Sequence, residues 1–183
     1  HMDRYVDLED YRQAKLRIYH NAEVGILNNE DKLTFGEGEN QAKQNVSFAG
    51  NTADYWLKTE NGKQYLMAKD EVILPCEEAT LVGRHNYMNI LAATALAQAV
   101  GINLDSIRTA LRHFKGLDHR FQLAHQANGI RWINDSKATN VGSTVAALAG
   151  LYVEGKLHLL LGGDGKGADF SELAELINQP HII

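Results

Sequence analysis

The stretch R-W-I-N-D-S-K-A-T-N, Arg131 to Asn140, turns from apolar to wholly polar at Asn134 and gathers Asn134, Asp135, Ser136, Lys137, Thr139 and Asn140. Those types suit a polar ligand. A carboxylate accepts ribose hydroxyls, an ammonium neutralises phosphate or carboxylate, and hydroxyl and amide groups orient what is held. One Asp or Asn after a strand could equally cap a turn, but so many polar residues beside a helix start argue for a strand exit facing a ligand. A second concentration is G-L-D-H-R-F, Gly116 to Phe121, with His119 and Arg120. Arginine keeps its charge and its planar fork reaches two oxygens, which suits a phosphoryl group in a charged transition state. The third is G-G-D-G-K-G, Gly162 to Gly167, where backbone amides, a helix start and Lys166 could hold an anion. It satisfies G-x-G-x-x-A from Gly163 to Ala168. It fails as a G-x-x-x-x-G-K-[ST] loop, because Leu160 and Gly167 stand where the first glycine and the hydroxyl belong. A plain strand-to-helix turn would read the same way.

Positioning these groups requires strand ends. The pattern predicts a buried strand at Ile130 to Ile133, a helix through Ala146 and Leu148, an all-apolar strand from Leu157 to Leu161, and a helix from Phe170 to Ile177. Strand, helix, buried strand, helix is the order of a parallel α/β sheet, and such sheets bind ligands at the carboxyl ends of their strands. R-F-Q-L-A-H-Q-A and I-R-W-I-N around Asn128-Gly129 form a hairpin. Upstream, the chain predicts a helix from Leu8 to Ile18, a strand from Glu23 to Asn28 and a loop from Gly36 to Asn45. An antiparallel section of N-V-S-F-A, D-Y-W-L-K-T-E and K-Q-Y-L-M-A-K follows, turning at Asn61-Gly62. Helices follow from Asn86 to Val100 and, after Asn103, from Leu104 to Phe114. A boundary near Gly116 divides the chain into domains 1–116 and 117–183. The start at a helix approach, and the end on a strand opening at His181-Ile182-Ile183, predict a piece of something longer.

Bulk properties narrow the function. The 183 residues allow one domain or two small ones. Hydrophobic residues at 44% and a net charge of -5 leave no basic field for a nucleic acid. Cys76 is the only cysteine, so no internal disulfide or thiolate metal cluster can form, which fits a reducing, cytoplasmic setting. No apolar run approaches the ~20 residues that span a bilayer, so no membrane partner is expected.

The motifs G-R-H-N-Y-M-N-I-L-A-A, G-L-D-H-R-F, W-I-N-D-S-K-A-T-N-V-G-S-T and L-L-L-G-G-D-G-K-G-A-D-F, in this order and at these intervals, resemble the Mur ligases of bacterial cell-wall synthesis. D-S-K-A-T-N resembles the branch that adds D-glutamate. The likeness runs across nearly the whole chain and is weakest from Gly36 to Glu78. It implies an α/β fold: part of a central ATPase domain with an antiparallel hairpin section, then part of a Rossmann-like C-terminal domain. It also implies a cytoplasmic, ADP-forming, ATP-dependent ligase, monomeric when complete, that uses magnesium at two positions and joins D-glutamate to UDP-N-acetylmuramoyl-L-alanine through an acyl phosphate. The chain departs from the full pattern by lacking a UDP-binding domain, a G-K-[ST] loop and a final sheet, so alone it should not catalyse.

Carried over position by position, the resemblance implies that Asn86 and Asn89 lie along the nucleotide, Asn89 at the adenine. Their (i, i+3) spacing does share a helix face. It implies that Arg120, with His119 beside it, contacts phosphate, that Asp135 holds ribose, and that Lys137 lies near the nucleotide. Thr139 and Lys166 match positions that hold D-glutamate. Lys15 matches a carbamylated lysine, in which a neutral amine adds carbon dioxide and becomes an oxygen ligand for magnesium; read from the residues alone, Lys15 is a surface lysine. H-M-D-R-Y matches the stretch where a histidine, here His1, lies by the second magnesium. His-Met is also a pair left by tag removal, and Asp3-Arg4-Tyr5 favours the native reading. Because these residues fall in two domains, a closing motion about Gly116-Leu117 is expected to assemble the site.

Rival readings remain. A non-catalytic nucleotide-binding module would use Asn89, Asp135 and Lys137. An oxidoreductase would use the glycine loop for a dinucleotide but needs an acid about 20 residues on, beyond Ile183. A relative adding another amino acid, or glutamate to folate, is opposed by D-S-K-A-T-N. His20, His113, His125 and His158 show no ligand spacing, and Trp56, Trp132 and Met67 read as core or half-buried strand.

Overall fold

The computed structural model describes residues 4–81, 83–149, 151, 153, 155–165 and 167–183. The chain divides into two compact units: His1–Val82 with Asn86–Phe114, and Gly83–His85 with Lys115–Ile183.

The first unit begins with helix α1, Leu8–Leu16, capped by the Asp7 carboxylate, which accepts from Asp10 N–H at 2.8 Å. Acidic residues in its first turn and Lys15 in its last match the helix dipole. Arg12 ties α1 to the following loop. It donates to the carbonyls of Leu33 at 3.1 Å and Phe35 at 3.2 Å and pairs with Glu9 and Glu37.

Five strands then form one sheet in chain order: β1 (Val24–Asn28), β2 (Gln44–Phe48), β3 (Tyr55–Glu60), β4 (Lys63–Ala68) and β5 (Glu71–Pro75). The Asn61-Gly62 turn joins β3 to β4 with both residues at positive φ, 51° and 76°, as a right-twisted two-residue hairpin requires. The expected antiparallel section needs correction at its start. N-V-S-F-A is β2, parallel to β1 from Val24↔Gln44 to Asn28↔Phe48 and parallel to β3 at Phe48↔Tyr55. The long connection from Asn29 to Lys43 supplies the chain length that a parallel return needs. The antiparallel part is β3-β4-β5, and β5 is a strand that the pattern did not suggest, since E-V-I-L-P is short and ends in proline.

Helix α2, Arg84–Ala99, buries Tyr87, Ile90, Leu91, Thr94 and Ala95, the i, i+3, i+4, i+7, i+8 stripe of a core-facing helix. The stripe shares one apolar cluster with Tyr55, Leu66, Ile73 and Leu74 of the sheet and Leu104 and Ile107 of α3 (Leu104–His113). Asn103 caps α3 through Ser106 N–H at 2.9 Å, as its position before the helix suggested. Arg108 fastens α3 to β5 through the Ile73 carbonyl at 3.0 Å and Glu71 at 2.9 Å. Burying each large aliphatic of this cluster contributes about 1.5–3 kcal/mol. Cys76 lies in the same core, and burial pushes its thiol up to about 11.

The second unit contains the hairpin β6 (Gln122–Ala127) and β7 (Ile130–Asn134), turning at Asn128-Gly129, then helices α4 (Val141–Ala149) and α5 (Ser171–Ile177), which pack on each other. Two expectations fail here. The Ile130 to Ile133 strand is not buried: Trp132 is 54% and Ile133 41% exposed, because β6-β7 is a two-stranded sheet. Leu157 to Leu161 is not a regular strand. Among the described residues its backbone hydrogen bonds go to the segment 181–183, with one parallel bridge, Leu157↔Ile182, and Leu160 stands 93% exposed. A run flanked on a single side by so short a partner cannot become the central strand of a sheet. No described helix is long and apolar enough to cross a membrane.

Candidate functional site

The hairpin β6-β7 brings two of the polar concentrations together. Gln122 pairs with Asn134 at its open end, so the D-H-R-F turn entering β6 meets the N-D-S-K-A-T turn leaving β7. Three hydrogen bonds join them. Asp135 Oδ1 accepts from Phe121 N–H at 3.0 Å, the His119 carbonyl accepts from Lys137 N–H at 3.1 Å, and Asn134 Nδ2 stands 3.0 Å from His119 Nδ1. Each turn is also closed on itself. Gln122 accepts from His119 N–H and donates to Asp118, and Asn134 Oδ1 accepts from Ser136 N–H in an Asx turn.

The backbone around Arg120 is strained. His119 and Phe121 have φ of 65° and 47°, a region that Gly, Asn, Asp and His tolerate and that a bulky aromatic rarely enters. Such conformations cost about 1–3 kcal/mol each and persist where surrounding bonds over-determine them. Here the bonds come from Asp135 and Lys137. Arg120 is thus presented between two pinned residues with its side chain exposed, as are those of Lys137 and Thr139 on the facing turn. A guanidinium, an ammonium, an imidazole and a carboxylate at one strand exit can bind and orient a phosphate ester or another polar anion.

His119, Arg120, Asp135, Lys137 and Thr139 therefore fall in one place within the second unit. Lys166 lies outside the described residues. Around it the glycine loop turns through Gly163 and Gly167 at φ 102° and 70°, and Ala168 N–H donates to the Gly165 carbonyl at 2.9 Å. Asp169 next to it accepts from Ser171, which holds its carboxyl below the usual range.

Lys15, Asn86 and Asn89 belong to the first unit, and His1 lies outside the described residues. Lys15 is exposed at the end of α1, its ammonium 5.4 Å from the centre of the Tyr11 ring in a cation–π contact. Asn86 and Asn89 stand on the first turns of α2, Asn89 exposed. Gln122, which with Asn134 orients His119, was not among the predicted site residues, and Asn134 was read only as one polar group of the strand exit. Both carry a signal in hindsight: an amide immediately before Asp135, and an amide at a strand start just after His119.

The Mur ligase middle domain matches residues 1–97, and the glutamate ligase domain of the Mur ligases matches residues 119–182. Over all 183 residues the chain is 94% identical to the UDP-N-acetylmuramoylalanine--D-glutamate ligase of Haemophilus influenzae (strain PittEE), of which it spans 42%. It is 72% identical to the ligase of the same name from Pasteurella multocida (strain Pm70), again spanning 42%. Among solved structures, 82% of the chain superposes on 35% of UDP-N-acetylmuramate-alanine ligase MurC from Thermotoga maritima, at 25% identity and a TM-score of 0.61. A pseudomurein peptide ligase type C from Methanothermus fervidus shares the fold at a TM-score of 0.67, with 84% of this chain and 39% of that one covered at 19% identity. Two domain matches in sequence order and relatives matching its whole length show that the chain belongs to the Mur ligase family.

Proposed function

We propose that the complete protein carrying this chain is an ADP-forming ligase that adds D-glutamate to UDP-N-acetylmuramoyl-L-alanine in the cytoplasm, for peptidoglycan precursor synthesis. The observation that carries this reading is the 94% identity, along the whole chain, to a protein named for that substrate pair. ATP would phosphorylate the terminal carboxylate, and the D-glutamate amine would displace phosphate from the acyl phosphate to give the amide.

In this reading residues 1–116 are part of the central ATPase domain and 117–183 the first part of the amino-acid-binding domain. Arg120 and Lys137 neutralise the transferring phosphoryl group, where such preorganised charge lowers the barrier most. Asp135 takes the ribose with the oxygen that Phe121 N–H leaves unused, and Asn86 and Asn89 lie along the nucleotide. Thr139 and Lys166 hold the amino acid.

The described residues do not fit magnesium as they stand. No cluster of three His, Cys, Asp or Glu side chains occurs among them, and Lys15 over Tyr11 is an ammonium without a lone pair. Carbamylation of Lys15 would supply the oxygens; labelled bicarbonate giving a carbamate carbon signal lost in Lys15→Arg tests this, and the family resemblance gives His1 the second magnesium position.

The function itself is tested by ADP release from the complete protein supplied with ATP and UDP-N-acetylmuramoyl-L-alanine. Release that requires D-glutamate and is not supported by other amino acids is expected. Tight ATP binding with no D-glutamate-dependent turnover would replace the ligase by a binding module.

A further inference from the structure

The Asn134 side chain is oriented by a group whose role is not open to choice. The backbone N–H of Ser136 can only donate, and it lies 3.1 Å from Asn134 Oδ1, which marks that atom as the carbonyl oxygen. The opposite end of the amide is then the NH2 group, and it stands 3.0 Å from His119 Nδ1. Two donors cannot share one hydrogen bond. Nδ1 must therefore accept, and the proton of the neutral imidazole sits on Nε2. The ring is anchored through its main chain as well. His119 holds a φ of 65°, its N–H donates to Gln122 Oε1 at 3.0 Å, and its carbonyl accepts from Lys137 N–H at 3.1 Å. His119 is exposed, so the second ring nitrogen remains within reach of a ligand.

We infer that Asn134 is a positioning residue that fixes His119 as the Nε2–H tautomer and so presents a directed hydrogen-bond donor to an anionic oxygen of the ligand held at the D-H-R-F turn. The tautomer stands on the hydrogen bonds alone; the identity of that oxygen as a nucleotide phosphate rests on the proposed function. Arg120 and Lys137 attract any anion by charge. A fixed N–H adds direction, because it rewards one position of the oxygen and no other.

Asn134→Asp separates this role from a structural one. Asp keeps an acceptor for Ser136 N–H, so the Asx turn persists, but it turns an acceptor toward His119 in place of the donor. In the complete protein with 15N-labelled histidine, His119 assigned through His119→Gln, the native ring should show a bare Nδ1 and a protonated Nε2 in its neutral form. Asn134→Asp should move a proton onto Nδ1, and Asn134→Ala should give a mixture of both tautomers. Asn134→Asp should also lower kcat/KM for ATP about tenfold, the worth of one well-placed hydrogen bond. A native Nδ1–H, a tautomer unchanged in Asn134→Asp, or a reversed tautomer with unchanged ATP kinetics would each overturn the inference. If the complete protein shows no D-glutamate-dependent turnover, the proposed reaction fails separately. ATP affinity by calorimetry then replaces the kinetics and must fall by the same factor.

Discussion

Replacing Asp135 should uncouple the two turns that form the site. Its Oδ1 accepts from Phe121 N–H at 3.0 Å, and Phe121 holds a φ of 47° that an aromatic residue does not adopt unaided. Hydrogen bonds to a charged acceptor contribute about 1.5–3 kcal/mol, and half exposure of Asp135 favours the lower end. Strain of about 1–3 kcal/mol at Phe121 is released on opening with or without Asp135, so the difference between the two proteins is the hydrogen bond. Asp135→Ala should therefore speed hydrogen exchange at the Phe121 amide about 10- to 100-fold. Asp135→Asn retains a neutral acceptor and should show roughly half that effect on a logarithmic scale. Phe121→Gly removes the strain, and in that background Asp135→Ala should cost more unfolding stability, because no released strain offsets the lost bond, a coupling visible in a double-mutant cycle. Equal exchange in native protein and Asp135→Ala, or additivity in the cycle, would refute the claim that Asp135 holds the D-H-R-F turn.

Other outcomes follow from the first unit. Leu91 is fully buried in the α2 stripe, so Leu91→Ala should lower unfolding stability by about 2–5 kcal/mol; an unchanged urea midpoint would remove it from the core. The hydrogen bond from Arg12 holds the Glu37 carboxyl below its ordinary value of 4.5. A depressed folded value means that the stabilisation is present above 4.5 and is lost as pH falls through the lowered value. Arg12→Ala should flatten that acid limb, and identical acid denaturation curves would count against the pairing. Cys76, buried with its thiol pushed up to about 11, should resist iodoacetamide at neutral pH in the folded chain and react on unfolding; labelling of the native chain would show the core to be open there.

Local chemistry alone settled much of this protein. Asn61-Gly62 and Asn128-Gly129 permit positive φ, so both hairpins were readable from dipeptides between strand-forming runs. The cap of α3 and the apolar spacing of α2 likewise depend on neighbours within a few residues. The polar exits were visible as composition, because Asp135, Lys137 and Arg120 have no place in a strand core. Strand partnership was not readable. Whether N-V-S-F-A pairs parallel or antiparallel depends on the path of the intervening chain, and whether Leu157 to Leu161 becomes a strand depends on what flanks it. Apolar runs record a preference for burial without recording the partner.

The same division holds at the site. Residue types determined which groups could bind an anion, and motif order carried the resemblance that the family matches bear out. Only the folded hairpin decided that D-H-R-F and N-D-S-K-A-T share hydrogen bonds across β6 and β7. Only there did Asn134 acquire its role toward His119, since a hydrogen bond between residues far apart in sequence exists only once the backbone has brought their atoms within 3.0 Å.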